Sequence, residues 1–271
     1  MKNVNLSQKL TESGLMLALA TILSVLKIAE LPYGGSITFA SMLPLIILSY
    51  RYGIGWGLLS GFVYGLIQMA LGLNAVSYAT TIVAAGAIIV LDYLLAFMTT
   101  ALGGVTRGMR NGASALGLAS ALVCVLRYGF HVVSGCTVWA GLSIPTADAF
   151  VYSLIYNATY MIPETIVTVA AAVYIGSLID FSAPKLMAVK HEKTPTAAAV
   201  LSAVMGLVIL LAVDAAAVMV FPHLQNAQTG TFDITGIANA NLTAVLIVIG
   251  CAAVAVIALG AVRRSVIRRA A

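Results

Sequence analysis

Charged residues are scarce in this sequence, and that scarcity excludes most classes of soluble protein. Of its 271 residues, 8% are Asp, Glu, Lys or Arg, whereas 61% are hydrophobic. Soluble domains of ordinary composition carry about 25% charged residues. A soluble core of this size would need a polar surface that the chain does not have. We therefore expect a multi-pass protein of the cell membrane, in contact with the lipid bilayer.

Motifs for catalysis, nucleotide binding and metal binding are also missing. The sequence has no Gly-rich phosphate loop that ends in Gly-Lys-Ser/Thr, no His-Glu-x-x-His and no nucleophile elbow. Its three cysteines, Cys124, Cys136 and Cys251, lack metal-ligand spacing. The net charge of +5 sits in short clusters beside apolar runs, which indicate membrane topology and no nucleic-acid surface. We expect no enzymatic reaction, no cofactor and no metal.

The apolar segments predict an all-α membrane protein with about eight spans, since one span needs about 20 mostly apolar residues. Six spans belong to residues 1–182, which we interpret as one ligand-binding bundle. A basic linker, 183–196, joins it to a C-terminal transmembrane hairpin with a basic tail, 197–271. The predicted helices are 14–28, 37–50, 54–71, 79–102, 113–133, 147–179, 197–221 and 242–262.

The distribution of Lys and Arg predicts that both termini are cytoplasmic. In that orientation the outer loops contain no basic residue, as the positive-inside rule requires. Lys27 and Arg127 are the two exceptions. Lys27 either snorkels to the outer interface or pairs with Glu30. Arg127 falls inside the fifth predicted span, where a cation needs a specific reason.

Polar residues gather in the fifth and sixth predicted spans. Arg127 and His131 are four residues apart, so they share one helix face. Ionisable groups are costly in lipid, and this face should line the bundle interior or a water-filled pocket. Asp92 in the fourth span needs a counter-ion, which is either Arg127 or a bound organic cation. Glu164 lies deeper, and we interpret it as structural.

Aromatic residues complete the predicted site. Trp139, in a loop predicted at 134–146, offers the indole face best suited to a flat or cationic ring. Its alternative is an interfacial belt position. Tyr152, Tyr156 and Asn157 follow on the next helix, where Asn157 can instead bond helix to helix. The combination indicates recognition of a small aromatic cation from the outer side.

These segments resemble the thiamine-specific S-components, the substrate-binding membrane subunits of energy-coupling factor (ECF) vitamin transporters. The family implies a six-helix fold that binds thiamine near the outer face. It also implies a membrane coupling subunit and two ATPase subunits, which drive release inward. The resemblance rests on residues 34–38 with 41–44, 51–53 with 56–58, 92–97, 127–139 and 152–157.

The resemblance also implies roles for individual residues. Trp139 would stack on a thiamine ring, Asp92 would face its positive charge or aminopyrimidine, and Arg127 would meet the hydroxyethyl end. The family tends to have Glu at the position of Asp92 and Lys at that of Arg127, which keeps the charge but changes the reach. The residues assigned to substrate binding are Asp92, Tyr93, Arg127, His131, Gly135, Trp139, Tyr152 and Asn157, with Tyr33, Tyr78 and Tyr156 as candidate lid or flanking residues.

Small residues on the first helix, Gly14, Ala18 and Ala20, predict a docking face for the coupling subunit, with packing inside the chain as the alternative. Three other functions stay open. One is an S-component for a thiamine precursor or related vitamin. Another is a self-sufficient proton-coupled carrier that uses Glu164 or Asp214. The last is an intramembrane enzyme that acts through His131 and Asp92.

Overall fold

The computed structural model describes residues 4–109, 111–141, 146–189, 196–224 and 234–270. Helices make up most of these ranges, so the predicted helical class is confirmed. Two short antiparallel strand pairs complete the described secondary structure. The helices are α1 Leu6–Val25, α2 Leu43–Tyr52, α3 Ile54–Leu71, α4 Ile82–Gly104, α5 Gly112–Gly141, α6 Thr146–Leu178, α7 Thr196–Val220 and α8 Leu242–Ala270.

Six helices, α3 to α8, are long and apolar enough to cross a membrane. The chain is therefore a multi-pass helical protein. The two remaining helices fall short of that criterion. With 10 residues, α2 is only about 15 Å long, half the thickness of a hydrocarbon core. Nearly every residue of α2 is buried, so it is a core helix enclosed by its neighbours.

A β-hairpin occupies the position where the second helix was predicted to begin, so that boundary was wrong. Strand β1, Lys27–Glu30, pairs antiparallel with β2, Ser36–Thr38. Tyr33 and Gly34 turn the chain between them with φ angles of 68° and 92°. Pairing the strands satisfies backbone groups that would otherwise be unbonded. Lys27 Nζ lies 2.6 Å from Glu30 Oε1, which confirms the pairing alternative for Lys27.

Helix α4 is irregular where an uninterrupted helix was predicted. Its middle section, Ile88–Leu95, is a π-helix, and its end, Thr99–Gly104, is a 3₁₀-helix. Two glycines of α3 face this section across a very short distance. A Cβ atom at Gly61 or Gly65 would lie 2.5 Å from the carbonyl oxygen of Phe97 or Tyr93, respectively. The glycines thus let α3 pack directly against the backbone that carries Asp92.

Helix α5 continues to Gly141, so the predicted loop at 134–146 is wrong for its first half. Gly135 contributed to that prediction, but its role is close packing. A Cβ there would overlap Ser153 Oγ on α6 and lie 3.2 Å from Asn157 Nδ2. The longer helix places Arg127, His131 and Gly135 at successive four-residue steps along one face.

A buried network around Arg51 joins three parts of the chain at the end opposite the β-hairpin. Arg51 is 3% exposed, and its Nε and Nη2 donate to Glu12 of α1 at 2.9 and 3.1 Å. Its Nη1 donates to the carbonyl oxygen of Phe181 at 2.8 Å, just beyond α6. Tyr52 also donates its hydroxyl to Glu12. One guanidinium therefore ties α1, the end of α2 and the segment after α6 together.

Ala20 does not belong to a docking face, contrary to prediction. It is fully buried, and its carbonyl oxygen accepts a bond from the Tyr64 hydroxyl of α3 at 3.1 Å. For Ala20 the alternative of packing inside the chain is the correct one. Gly14 and Ala18 are exposed, and a Cβ at Gly14 would meet no atom within 4 Å.

Candidate functional site

A cavity of about 550 Å³ opens between the β-hairpin and helices α3 to α6. Its size lies within the range of small-molecule binding pockets. Most residues predicted for the site meet around it, although they come from five separate parts of the chain. The predicted residues that line it are Tyr33, Tyr78, Asp92, Tyr93, Arg127, His131, Gly135, Tyr156 and Asn157.

Asp92 is held by two donors from α5. Its Oδ1 lies 2.7 Å from His131 Nδ1, and its Oδ2 accepts a bond from Ser134 Oγ at 2.7 Å. An ion pair with Arg127, one of the two alternatives for the counter-ion of Asp92, is not among the salt bridges of the described residues. Asp92 belongs to the π-helical section of α4, and the two residues that bond it, His131 and Ser134, are three residues apart on one face of α5. The carboxylate is thus held by His131 and Ser134, and no Lys or Arg of the described ranges forms a salt bridge with it.

Arg127 and His131 line the cavity, and each has one buried polar atom without a hydrogen-bond partner among the described residues. Arg127 Nε and His131 Nε2 are buried and make no hydrogen bond among the described residues. The Arg127 guanidinium carbon lies 5.1 Å from the centre of the Phe97 ring, within cation–π distance. Buried polar groups are nearly always bonded, so both atoms are candidates for a hydrogen bond to a bound ligand.

The α6 wall of the cavity is a fixed hydrogen-bond network. Asn157 Nδ2 donates to the carbonyl oxygens of Ser153, at 2.8 Å, and His131, at 3.2 Å. Its Oδ1 accepts a bond from the Tyr160 hydroxyl at 2.6 Å. Asn157 therefore bonds helix to helix, as its alternative interpretation proposed, while it also lines the cavity. These bonds hold the α5 backbone beside His131.

Three tyrosines form the rim of the cavity. The rings of Tyr33 and Tyr78 have centres 4.7 Å apart in an edge-to-face arrangement, and those of Tyr33 and Tyr156 are 6.2 Å apart. Tyr156 Oη accepts a bond from the backbone N–H of Gly35 at 2.9 Å. The turn of the β-hairpin is thereby held to α6, with aromatic faces toward the cavity.

Two residues of the predicted site are not placed at the cavity. Tyr152 is half-buried and packs in an apolar cluster with residues such as Leu31 and Tyr156, away from the lining. The side chain of Trp139 lies outside the described parts of the chain, although its backbone belongs to α5. The stacking role of Trp139 therefore stays a prediction.

The cavity also contains polar residues that the sequence interpretation missed. Gln68 of α3 donates to Ser24 Oγ of α1 at 2.9 Å, and both line the cavity. Ser134 was part of the polar stretch, but no role was assigned to it. Gln68 stands in an otherwise apolar span, and polar residues in such spans are functional candidates by default. That signal was available and could have identified it.

Glu164 lies behind the cavity and outside its lining. It is 2% exposed, and it accepts bonds from Thr38 N at 2.6 Å and Thr38 Oγ1 at 2.7 Å. Thr38 ends strand β2, so this carboxyl group attaches the β-hairpin to α6. The contacts agree with the structural interpretation of Glu164.

The part of the chain that forms this cavity is similar in sequence to known proteins. The family model for the Thiamine transporter protein matches residues 10–187. The "Thiamine transporter ThiT" of Bacillus subtilis (strain 168) is 29% identical over 191 residues, which cover 66% of this chain and 93% of the relative. The protein of the same description from Lacticaseibacillus paracasei is 27% identical over 177 residues, which cover 61% of this chain and 80% of the relative. The matched residues include the whole cavity, and the chain belongs to the thiamine transporter protein family.

Proposed function

We propose that this chain captures thiamine from outside the cell and serves as the membrane-embedded S-component of an ECF transporter. The observation that carries the proposal is the arrangement of Asp92. Its carboxylate is fixed by His131 and Ser134 beside an aromatic cavity and has no bonded Lys or Arg among the described residues. Thiamine combines a flat aminopyrimidine with a permanently cationic thiazolium, which such a carboxylate complements.

The two unbonded polar atoms fit opposite ends of the same ligand. In the neutral tautomer that donates from Nδ1 to Asp92, His131 Nε2 is an acceptor, and an aminopyrimidine offers N–H donors. Arg127 has donors alone, which suit the oxygen of the hydroxyethyl group. Trp139 would stack on one ring, and Tyr33, Tyr78 and Tyr156 would enclose the ligand at the rim. Tyr93 would flank the site beside Asp92.

Energy for inward release would come from partner subunits. The sequence contains no nucleotide-binding loop, so ATP hydrolysis requires other chains. A coupling subunit and two ATPase subunits would supply it, and this chain would perform no chemistry. Exposed Gly14 and Ala18 on α1 provide a small-residue face for the coupling subunit. In this proposal α1 and α2 join the six apolar helices to give eight membrane segments, with both termini cytoplasmic.

A thiamine titration of the detergent-purified chain, followed by tryptophan fluorescence, tests the binding step. We expect saturable quenching at submicromolar thiamine. Quenching by a neutral pyrimidine, together with no quenching by thiamine, would show that the substrate is the pyrimidine and not thiamine. Vesicles that contain the chain alone, compared with vesicles that also contain the coupling and ATPase subunits, test the transport step. Uptake by the chain alone would contradict the dependence on partners.

A further inference from the structure

A second cavity lies between α6 and the C-terminal hairpin formed by α7 and α8, beside the places where α7 packs against the bundle, and its lining also includes the start of α5 and the segment after α6. It has a volume of about 1370 Å³ and is distinct from the cavity around Asp92. On α7 its lining residues are Ser202, Met205, Gly206 and Ile209, whose spacing of three, four and seven places them on one helix face. Neither the family assignment nor the proposed thiamine site gives this groove a function.

The length of the groove matches that of one lipid chain. On α6 its lining extends from Thr165 to Ser177, which is about 18 Å at 1.5 Å per residue. One leaflet of a bilayer has a hydrocarbon depth of about 15 Å. The α6 side is largely aliphatic, and Ile166 and Val173 are 44% and 43% exposed. An acyl chain would cover these side chains along their whole length.

One end of the groove carries an oriented cation. Arg263 of α8 lines it, and its Nε donates to Ser202 Oγ at 2.8 Å. That bond holds the guanidinium at the groove entrance, while its Nη groups have no hydrogen-bond partner within the described ranges. Three further arginines, Arg264, Arg268 and Arg269, are exposed on the last turns of the same helix. The combination of an aliphatic groove and a basic entrance matches an anionic phospholipid.

An acidic residue also lines the groove. The carboxylate of Asp180 accepts bonds from Ser182 N at 2.9 Å and Ser182 Oγ at 2.5 Å. Ser182 therefore bonds one carboxylate oxygen of Asp180, Oδ1, whereas the outer nitrogens of Arg263 make no hydrogen bond within the described ranges. The positive charges at this end outnumber the single carboxylate, so a phosphate is favoured over a cationic group.

We propose that one anionic phospholipid binds in this groove, with its phosphate at Arg263 and an acyl chain along α6 and α7. The lipid fills the space between the family-matched region and the hairpin, and it fixes the hairpin to the bundle. The site does not depend on thiamine binding, so the proposal stands independently of the proposed transport function.

Two matched pairs of variants test the site. R263Q removes the cation at the groove, and R269Q removes an exposed arginine of the same helix that does not line it. G206L fills the groove without a change in charge, since a Cβ at Gly206 meets no atom within 4 Å. G250L places the same side chain at an equally open position of α8 outside the groove.

The chain and its variants are reconstituted in nanodiscs of equal phosphatidylglycerol and phosphatidylethanolamine, and retained lipid is counted by native mass spectrometry after transfer to detergent. We expect one retained phosphatidylglycerol per wild-type chain, at least fivefold less in R263Q and G206L, and a change below twofold in R269Q and G250L. Equal losses of retained lipid in R263Q and R269Q would show that the basic tail attracts anionic lipid in general, and they would overturn the proposal of a specific site at Arg263. Equal retention in G206L and the wild type would overturn the groove as the location, and the R263Q comparison decides if G206L does not fold.

Discussion

His131 Nδ1 lies 2.7 Å from Asp92 Oδ1, and this contact joins α5 to the π-helical section of α4. Ser134, three residues further along α5, bonds the second carboxylate oxygen. Both oxygens of Asp92 are thus directed by neighbouring side chains. A carboxylate placed in this way can face a ligand cation without first reorganising, which is the condition for tight binding in a preformed site.

Replacement of Asp92 by Asn tests the electrostatic part of the site. We expect D92N to weaken thiamine binding by about 10- to 100-fold, since bonds to a charged group contribute about 1.5–3 kcal/mol. A neutral pyrimidine should lose less. Isothermal titration calorimetry of the variant and the wild type with thiamine and with the pyrimidine measures both affinities. D214N is the control, because Asp214 lies on α7 outside the cavity, and a comparable loss there would contradict the assignment.

Removal of the Trp139 indole should weaken thiamine binding and abolish most of the fluorescence response. We expect a cost of about 1–3 kcal/mol for W139A, the range of a good stacking contact. Trp56 provides the control, since its Nε1 donates to Ser13 Oγ at 2.8 Å and it does not line the cavity. W56F should keep both affinity and quenching. Loss of quenching in W56F, with quenching unchanged in W139A, would show that Trp56 and not Trp139 contacts the ligand.

The attachment of the β-hairpin should depend on Glu164. The E164Q variant replaces one of two acceptor oxygens that bond Thr38, so we expect a loss of about 1–3 kcal/mol in stability and faster thiamine release. Thermal unfolding and stopped-flow displacement measure the two effects. In the unfolding measurement the matched control is E30Q, which removes the exposed Lys27 ion pair, worth about 0–1 kcal/mol; because Glu30 lines the cavity, this variant is not compared for thiamine release. Similar effects in both variants would contradict a specific role for Glu164.

Close packing of α3 against α4 should make Gly65 sensitive to a single methyl group. A Cβ there would lie 2.5 Å from Tyr93 O, so G65A must displace the backbone next to Asp92. We expect at least a tenfold loss of thiamine affinity with a lower unfolding temperature. G55A, on an open face of the same helix, should change neither. An unchanged affinity in G65A would show that this contact does not position the site.

The sequence predicted α3 and the composition of the cavity well, because turn residues and rare polar groups are strong local signals. Residues 54–71 coincide with α3, since Gly53 and Gly72 terminate it on both sides with positive φ angles. Intramembrane Asp, Arg and His are costly, so their convergence on one cavity could be expected.

Other features depend on tertiary packing and left no readable pattern. The π-helix lies in a uniformly apolar segment, where one extra residue per turn changes no visible periodicity. The bonds of Asp92 in this section, to His131 and Ser134, were not predicted. Gly135 was interpreted as a loop residue because a glycine for close helix packing is indistinguishable from one for a turn. The burial of Ala20 against α3 was not predicted, because the sequence does not show which residues of a small-residue face meet another helix of the same chain.

The bonds of Arg51 have a consequence for how the chain could have grown. They join Glu12, near the start of the family-matched residues, to the carbonyl oxygens of Phe181 and Pro184, near their end. Both ends of the family-matched region are therefore closed onto one side chain. Helices α7 and α8 follow this closure along the chain and contribute none of its bonds, so a hairpin can be added there without altering the connections inside the matched region.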